Sequence, residues 1–144
     1  MWIHGLVTQV TSQPIDVRIE EWISENYPGL REEQRRSLRT ETRTITASIS
    51  PDVKRTAPPT VFRRSHALNY AYLDHIGDIM GRSFDSKFRG NPDVIALGNA
   101  VSEIFETKDI SDIELIDRIA EEIGVRDWFV WVSLEDMPES YYDS

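Results

Sequence analysis

The stretch DISDIELIDRIAEEIGVRDWFVWVSLED, residues 109–136, constrains the fold of this chain more than any other. Ser111 precedes Glu114 by three residues, the capping-box spacing in which each side chain satisfies an end amide of a helix. Asp112 and Glu114 place negative charge at the positive end of the helix dipole. Ile113, Ile116, Ala120 and Ile123 recur every three to four residues, with Ile119 beside them, and Asp117, Arg118, Glu121 and Glu122 take the opposite face. Gly124 supplies the left-handed residue that ends a helix, and Val125 is placed to pack back on its last turn. Beyond it, Trp128, Val130, Val132 and Leu134 alternate with Phe129 and Trp131. Both faces of that run are apolar, which predicts a strand over 126–134 covered on both sides. An exposed Trp131 in a partner or ligand site is the lesser alternative.

The rest of the chain is read against this unit. Residues 2–11 alternate in a way that predicts a strand, with Trp2, His4, Leu6, Thr8 and Val10 on one face. Ser12 as a cap and Pro14 in a first turn predict a helix to about Tyr27, buried through Ile15, Ile19, Trp22 and Ile23 and ended by Pro28-Gly29. Leu30 to about Arg39 reads as a polar helix with only Leu30 and Leu38 strongly apolar. ETRTITASIS, residues 41–50, reads as a half-wet strand, and 60–64 as a short one. The prolines at 51, 58 and 59 predict an extended loop between them. Ser65 to about Gly81 is a helix with a broad apolar face, weakened at Gly77 by about 1 kcal/mol relative to alanine unless close packing uses that glycine. Asn91 and Pro92 open another helix, with Val94, Leu97, Val101, Ile104 and Phe105 facing inward. The expected fold is α+β: an antiparallel sheet of three or four strands, the fourth being 60–64, packed with four to five helices. One domain over 1–136 and a short, mobile acidic tail over 137–144 complete that expectation.

The net charge of −9 is unevenly spread. Residues 1–30 carry −3, residues 31–89 carry +5 and residues 90–144 carry −11. Either the middle and the end neutralise one another within the fold, or each meets a partner of opposite sign. No run approaches the roughly 18 apolar residues of a membrane span, and the N-terminus lacks the basic flank and apolar core of a signal peptide. The absence of cysteine rules out disulfides, thiolate metal sites and cysteine nucleophiles. A reducing cytosol is the expected location.

No phosphate loop, dinucleotide fingerprint, HExxH or GxSxG motif is present, and no motif implies a cofactor or a metal. The strongest catalytic candidates are His75 with Asp74 and Asp78, where a histidine beside carboxylates can act as a general base or join them in holding a divalent metal. His75 also lies on an apolar stripe, where a histidine more often serves the core. A second candidate set is basic: Arg31, Arg35, Arg36, Arg39 and Arg43, followed by Lys54, Arg55, Arg63 and Arg64. Arginine's planar fork suits carboxylates and phosphates. A third is the acidic end, with Glu135, Asp136, Glu139, Tyr141, Tyr142 and Asp143 as a docking surface for a basic partner. The expected function is a non-enzymatic, macromolecule-binding protein of the inhibitor, antitoxin, immunity or adaptor kind, with a protein partner. A nucleic-acid-binding module using residues 31–64 is the alternative, and a His/Asp-dependent hydrolase or nuclease is the second alternative.

Overall fold

The computed structural model describes residues 2–141, and among them every regular element is helical. Six α-helices follow one another: α1 (Trp2–Asn26), α2 (Arg31–Ser48), α3 (Pro51–Thr56), α4 (Pro59–Met80), α5 (Pro92–Phe105) and α6 (Asp112–Ile123). Short 3-10 turns lie at Pro28–Leu30, Asp85–Phe88, Arg126–Trp128, Leu134–Asp136 and Glu139–Tyr141. The expected α+β fold is therefore corrected to an all-α one, because no described segment forms a strand.

The expectation fails at each strand for a physical reason. The even-numbered face of residues 2–10 contains Leu6 and Val10, which are also four apart. The face then continues through Pro14 and Val17, and all four are buried in α1. A spacing of four is one helical turn, so period 2 and period 3.6 coincide over this short stretch and the longer one decides. Pro14 thus sits in the middle of a helix rather than its first turn. In the turns before it, the hydroxyls of Thr11 and Ser12 bond the carbonyls of Val7 (2.8 Å) and Thr8 (2.7 Å). The segment 41–50 belongs mostly to α2, whose inner face runs Gln34, Leu38, Thr42, then Ile45 and Ile49. Its β-branched residues bond the preceding turn, Thr42 to Arg39 O, Thr44 to Thr40 O and Thr46 to Thr42 O, which reconciles threonine with a helix. Residues 60–64 form the start of α4. The expected proline loop contains α3, with Pro51 at its first position and the Ser50 hydroxyl accepting from Val53 N at 3.2 Å.

The segment 126–134 forms no strand: Arg126–Trp128 is a 3-10 turn, Leu134 begins another, and the residues between them pair with no neighbour, although extended backbone occurs there. Phe129 has φ −148° and ψ 163°, and Ser133 has φ −65° and ψ 142°. It is not covered on both sides: Val130 is 79% exposed and Leu134 71%. Only Trp128 and Phe129 pack against the core. Trp131, 41% exposed, donates its indole N–H to Asp117 Oδ1 at 2.8 Å.

The helix α4 is the centre of the core. Ala67, Leu68, Ala71, Tyr72, Leu73 and Ile76 are sealed from solvent on it, and α5, α1 and α2 pack around it while α6 closes across α5 and α1. Each such large side chain contributes roughly 1.5–3 kcal/mol by leaving water. Gly98 of α5 brings that helix against Tyr70, where a Cβ would come within 2.5 Å of the ring. Among the described residues, no helix is long and apolar enough to cross a membrane.

Candidate binding surface

The inner face of α1 steps from Val17 to Glu21 one turn later, which aims a carboxylate at α4. There His75 Nδ1 lies 3.0 Å from Glu21 Oε1, and His75 Nε2 lies 3.2 Å from the backbone oxygen of Ser102 on α5. Lys108 Nζ donates to the other Glu21 oxygen at 2.5 Å. Ser102, on the buried face of α5, donates its hydroxyl to Asp74 Oδ2 at 2.6 Å, and its Oγ stands 3.3 Å from His75 Nε2. Burial lowers the His75 pKa, but the hydrogen bonds to Glu21 and to the Ser102 carbonyl and the charges of Glu21 and Asp74 outweigh it and raise the value overall. Glu21 moves the other way, held down chiefly by the His75 hydrogen bond against the cost of burial.

This arrangement bears the residue types of a serine–histidine–carboxylate site without its proton logic. Both ring nitrogens face acceptor oxygens, which favours the protonated imidazole. The Ser102 hydroxyl lies closer to Asp74, at 2.6 Å, than to the ring, at 3.3 Å. A general base needs a nitrogen free to accept, and this arrangement disfavours one. Of the candidates read from sequence, the structure joins His75 and Asp74 through Ser102; Asp78 makes no hydrogen bond or ion pair with His75 and shares with Asp74 an open depression that Gly77, Arg82 and Asp85 also line. Among the described residues no group of acids and histidines is placed to hold a metal ion. The cluster is a clamp between α1, α4 and α5. Its partners Glu21 and Ser102 were not foreseen; extending the 6–10–14–17 face one turn would have found Glu21.

The charge map decides how the arginines are used. The bases of the C-terminal third are spent locally or on α1: Arg118 on Glu114, Arg126 on Asp117 and Lys108 on Glu21. Arg18 of α1 holds Asp112 at 2.7 Å and the carbonyls of Ile110 and Thr107. Lys54 donates to Asn91 Oδ1 at 2.7 Å, and Arg55 pairs with Asp52. Arg64 stacks over Trp128, 5.3 Å from the ring centre. Among the described residues no ion pair joins segment 31–64 to the acidic end. Arg31, Arg36, Arg39 and Arg43 stand exposed on α2 without an ion pair there, and Arg35, half-buried, reaches only the Ile79 carbonyl at 3.5 Å.

Beside this face lies an apolar tip, of which the sequence reading placed Trp22 in the core. The register of α1 turns Trp22 outward, 53% exposed, and Tyr27 and Leu30 are 48% and 49% exposed. Trp22 and Tyr27 meet edge to face at 5.2 Å, and the turn Pro28–Leu30 carries the chain directly into Arg31. At the other end, Asp136 and Glu139 are exposed in 3-10 turns, Tyr141 ends the turn Glu139–Tyr141, and Tyr142 lies outside the described residues. Among the described residues no ion pair joins this end to the α2 arginines. The chain matches no protein-family model, and no curated protein or solved structure is significantly similar to it.

Proposed function

We propose that this chain is a non-enzymatic binding protein that recognises an acidic partner protein through the tip of the α1–α2 hairpin and the arginine face of α2. The observation that supports it most is the junction of three half-exposed apolar residues, Trp22, Tyr27 and Leu30, with a run of arginines that form no ion pair among the described residues. Aromatic side chains and arginine are the residues that dominate binding energy at protein interfaces. Unpaired arginines beside them would steer an acidic surface into register and pair with its carboxylates. An inhibitor, immunity, antitoxin or adaptor role in the cytosol fits such a surface. Nucleic-acid backbone binding is the second reading, favoured by the same exposed arginines but not by the apolar tip.

Capture from a host lysate tests the proposal, using the wild type, Arg36→Glu/Arg39→Glu and Trp22→Ala/Leu30→Ala. Loss of the captured protein in both variants is expected. Retention by both overturns the reading. A DNA 30-mer titrated at low and near-physiological salt separates the second reading: tight, steeply salt-dependent binding that survives Trp22→Ala/Leu30→Ala would replace the first.

A further inference from the structure

A cavity of about 290 Å³ opens between the first half of α1, α3 and the first turns of α4. Its apolar walls include Trp2, Leu6, Val53, Val61 and Phe62. The volume lies at the lower end of ligand pockets, roughly 300–1,000 Å³, and one water occupies roughly 30 Å³ of liquid, so a molecule of about ten heavy atoms fits.

The polar groups on its wall are mostly spent. Ser65 donates to Gln9 Oε1 at 2.7 Å, and Gln9 Nε2 reaches Ser65 O at 2.9 Å and Asn69 Oδ1 at 3.0 Å. Gln13 Nε2 also donates to Asn69 Oδ1, at 2.9 Å. Two donors on Asn69 Oδ1 fix which way that amide points, so it is Asn69 Nδ2 that meets His66 Nδ1 at 3.2 Å. His66 Nδ1 is therefore an acceptor, and the ring proton sits on Nε2. This nitrogen has no partner among the described residues. It is not sealed in the core either: the enclosed polar atoms left unpaired there are Gln34 Oε1 and Tyr72 Oη. His66, 4% exposed, lines the cavity.

We propose that this cavity binds a small neutral molecule, an aliphatic chain or ring bearing a carbonyl oxygen that accepts the Nε2–H of His66. The walls provide apolar contact and the imidazole provides one oriented donor, the pattern of a small-molecule site. A carboxylate would be stripped of water with no cation among the described lining residues to meet it, since burial holds His66 neutral, its pKa pushed down to about 4. The site is separate from the arginine face of α2 and does not depend on the reading of that face.

Calorimetric titration with 2-octanone and with octanoate tests this, on the wild type, His66→Phe and Gly5→Leu. Gly5 lines the cavity, and a Cβ on it would meet nothing within 4 Å, so a side chain placed there has room to enter the cavity. The wild type is expected to bind 2-octanone at least about tenfold more tightly than octanoate. His66→Phe should weaken the ketone roughly fivefold, the worth of one neutral hydrogen bond, and Gly5→Leu should remove binding. No ketone binding up to its solubility, equal binding of octanoate, or unaltered binding by Gly5→Leu overturns the proposal. Circular dichroism checks each fold first; should His66→Phe fail to fold, Gly5→Leu and the octanoate ratio decide.

Discussion

His75 on α4 and Glu21 on α1 are joined at 3.0 Å across 54 residues of chain, and the ring's second nitrogen is held by α5. Each partner shifts the other's pKa, His75 upward and Glu21 downward, so the pair ties stability to pH. His75 has a raised folded pKa. Its contribution is fully present below the ordinary histidine value of about 6.5 and is lost as pH rises through the raised value. Glu21 has a lowered folded pKa, and its contribution is present above about pH 4.3 and lost as pH falls through the lowered value. Urea unfolding between pH 5.5 and 9 should show the wild type losing more stability than His75→Gln towards the alkaline end. Parallel curves would show that the clamp does not carry the charge.

His66 produces the opposite slope on the acid side. It is buried neutral with a pKa pushed down to about 4, while the unfolded chain takes up a proton near 6.5. Below 6.5 the unfolded state binds the extra proton, so stability falls until the folded pKa is reached. At 1.36 kcal/mol per unit this is worth roughly 3 kcal/mol between pH 6.5 and 4. Replacing His66 by Phe should flatten that limb, read as a smaller drop in the urea midpoint from pH 7 to 4.5. The alkaline limb should stay as it is, since His75 does not touch His66.

Two helical glycines should behave against helix propensity. Alanine normally stabilises a helix interior by about 1 kcal/mol over glycine. A Cβ on Gly77 would stand 2.4 Å from the Arg82 backbone oxygen, where the chain turns back after Gly81 and Arg82 N bonds Gly77 O at 2.9 Å. Backbone cannot step aside cheaply, so Gly77→Ala should cost roughly 1–3 kcal/mol. Gly98→Ala meets Cβ, Cγ and Cδ1 of the half-buried Tyr70 at 2.5–2.9 Å, the near end of a ring that also packs on Phe88, and should be destabilising too. Denaturant midpoints for the two variants check this; a gain in stability at either glycine would contradict its close approach.

What was legible in the sequence was local chemistry. Gly124 and Gly81 both end helices in the left-handed conformation, with Val125 N on Ala120 O at 2.8 Å and Arg82 N on Gly77 O at 2.9 Å. Ser111 caps α6 as its spacing predicts, accepting from Glu114 N at 3.1 Å, although the Glu114 carboxylate goes to Arg118 rather than back to the cap. The Pro28 stop and the Pro92 start hold as well. What was not legible depended on which period wins over ten residues. Leu6 and Val10 satisfy both periods, so the start of α1 was missed. The missed start also rotated its later turns, placing Trp22 in the core and leaving Glu21 unnoticed. The polar network around Gln9, Asn69 and His66 joins residues 56 to 60 positions apart and leaves no local signal. Arginine exposure on α2 was legible because so few apolar residues share that helix; Trp22 beside it was not.

The arginines of α2 should be replaceable without cost to the fold, and this separates a recognition surface from a structural one. Arg36 and Arg39 are exposed and form no ion pair among the described residues. Substitution at such positions changes stability by no more than about 0.5 kcal/mol. Arg18 differs, since it holds Asp112 and two carbonyls of the chain ahead of α6; Arg18→Ala should cost roughly 1–3 kcal/mol. Thermal unfolding of Arg36→Glu/Arg39→Glu beside Arg18→Ala makes the comparison under one condition. An unchanged midpoint in the double variant with a lowered one in Arg18→Ala leaves α2 free for a partner. A fall in the double variant matching that of Arg18→Ala would mean that these arginines serve the chain's own acids, and the proposed surface would lose its charge.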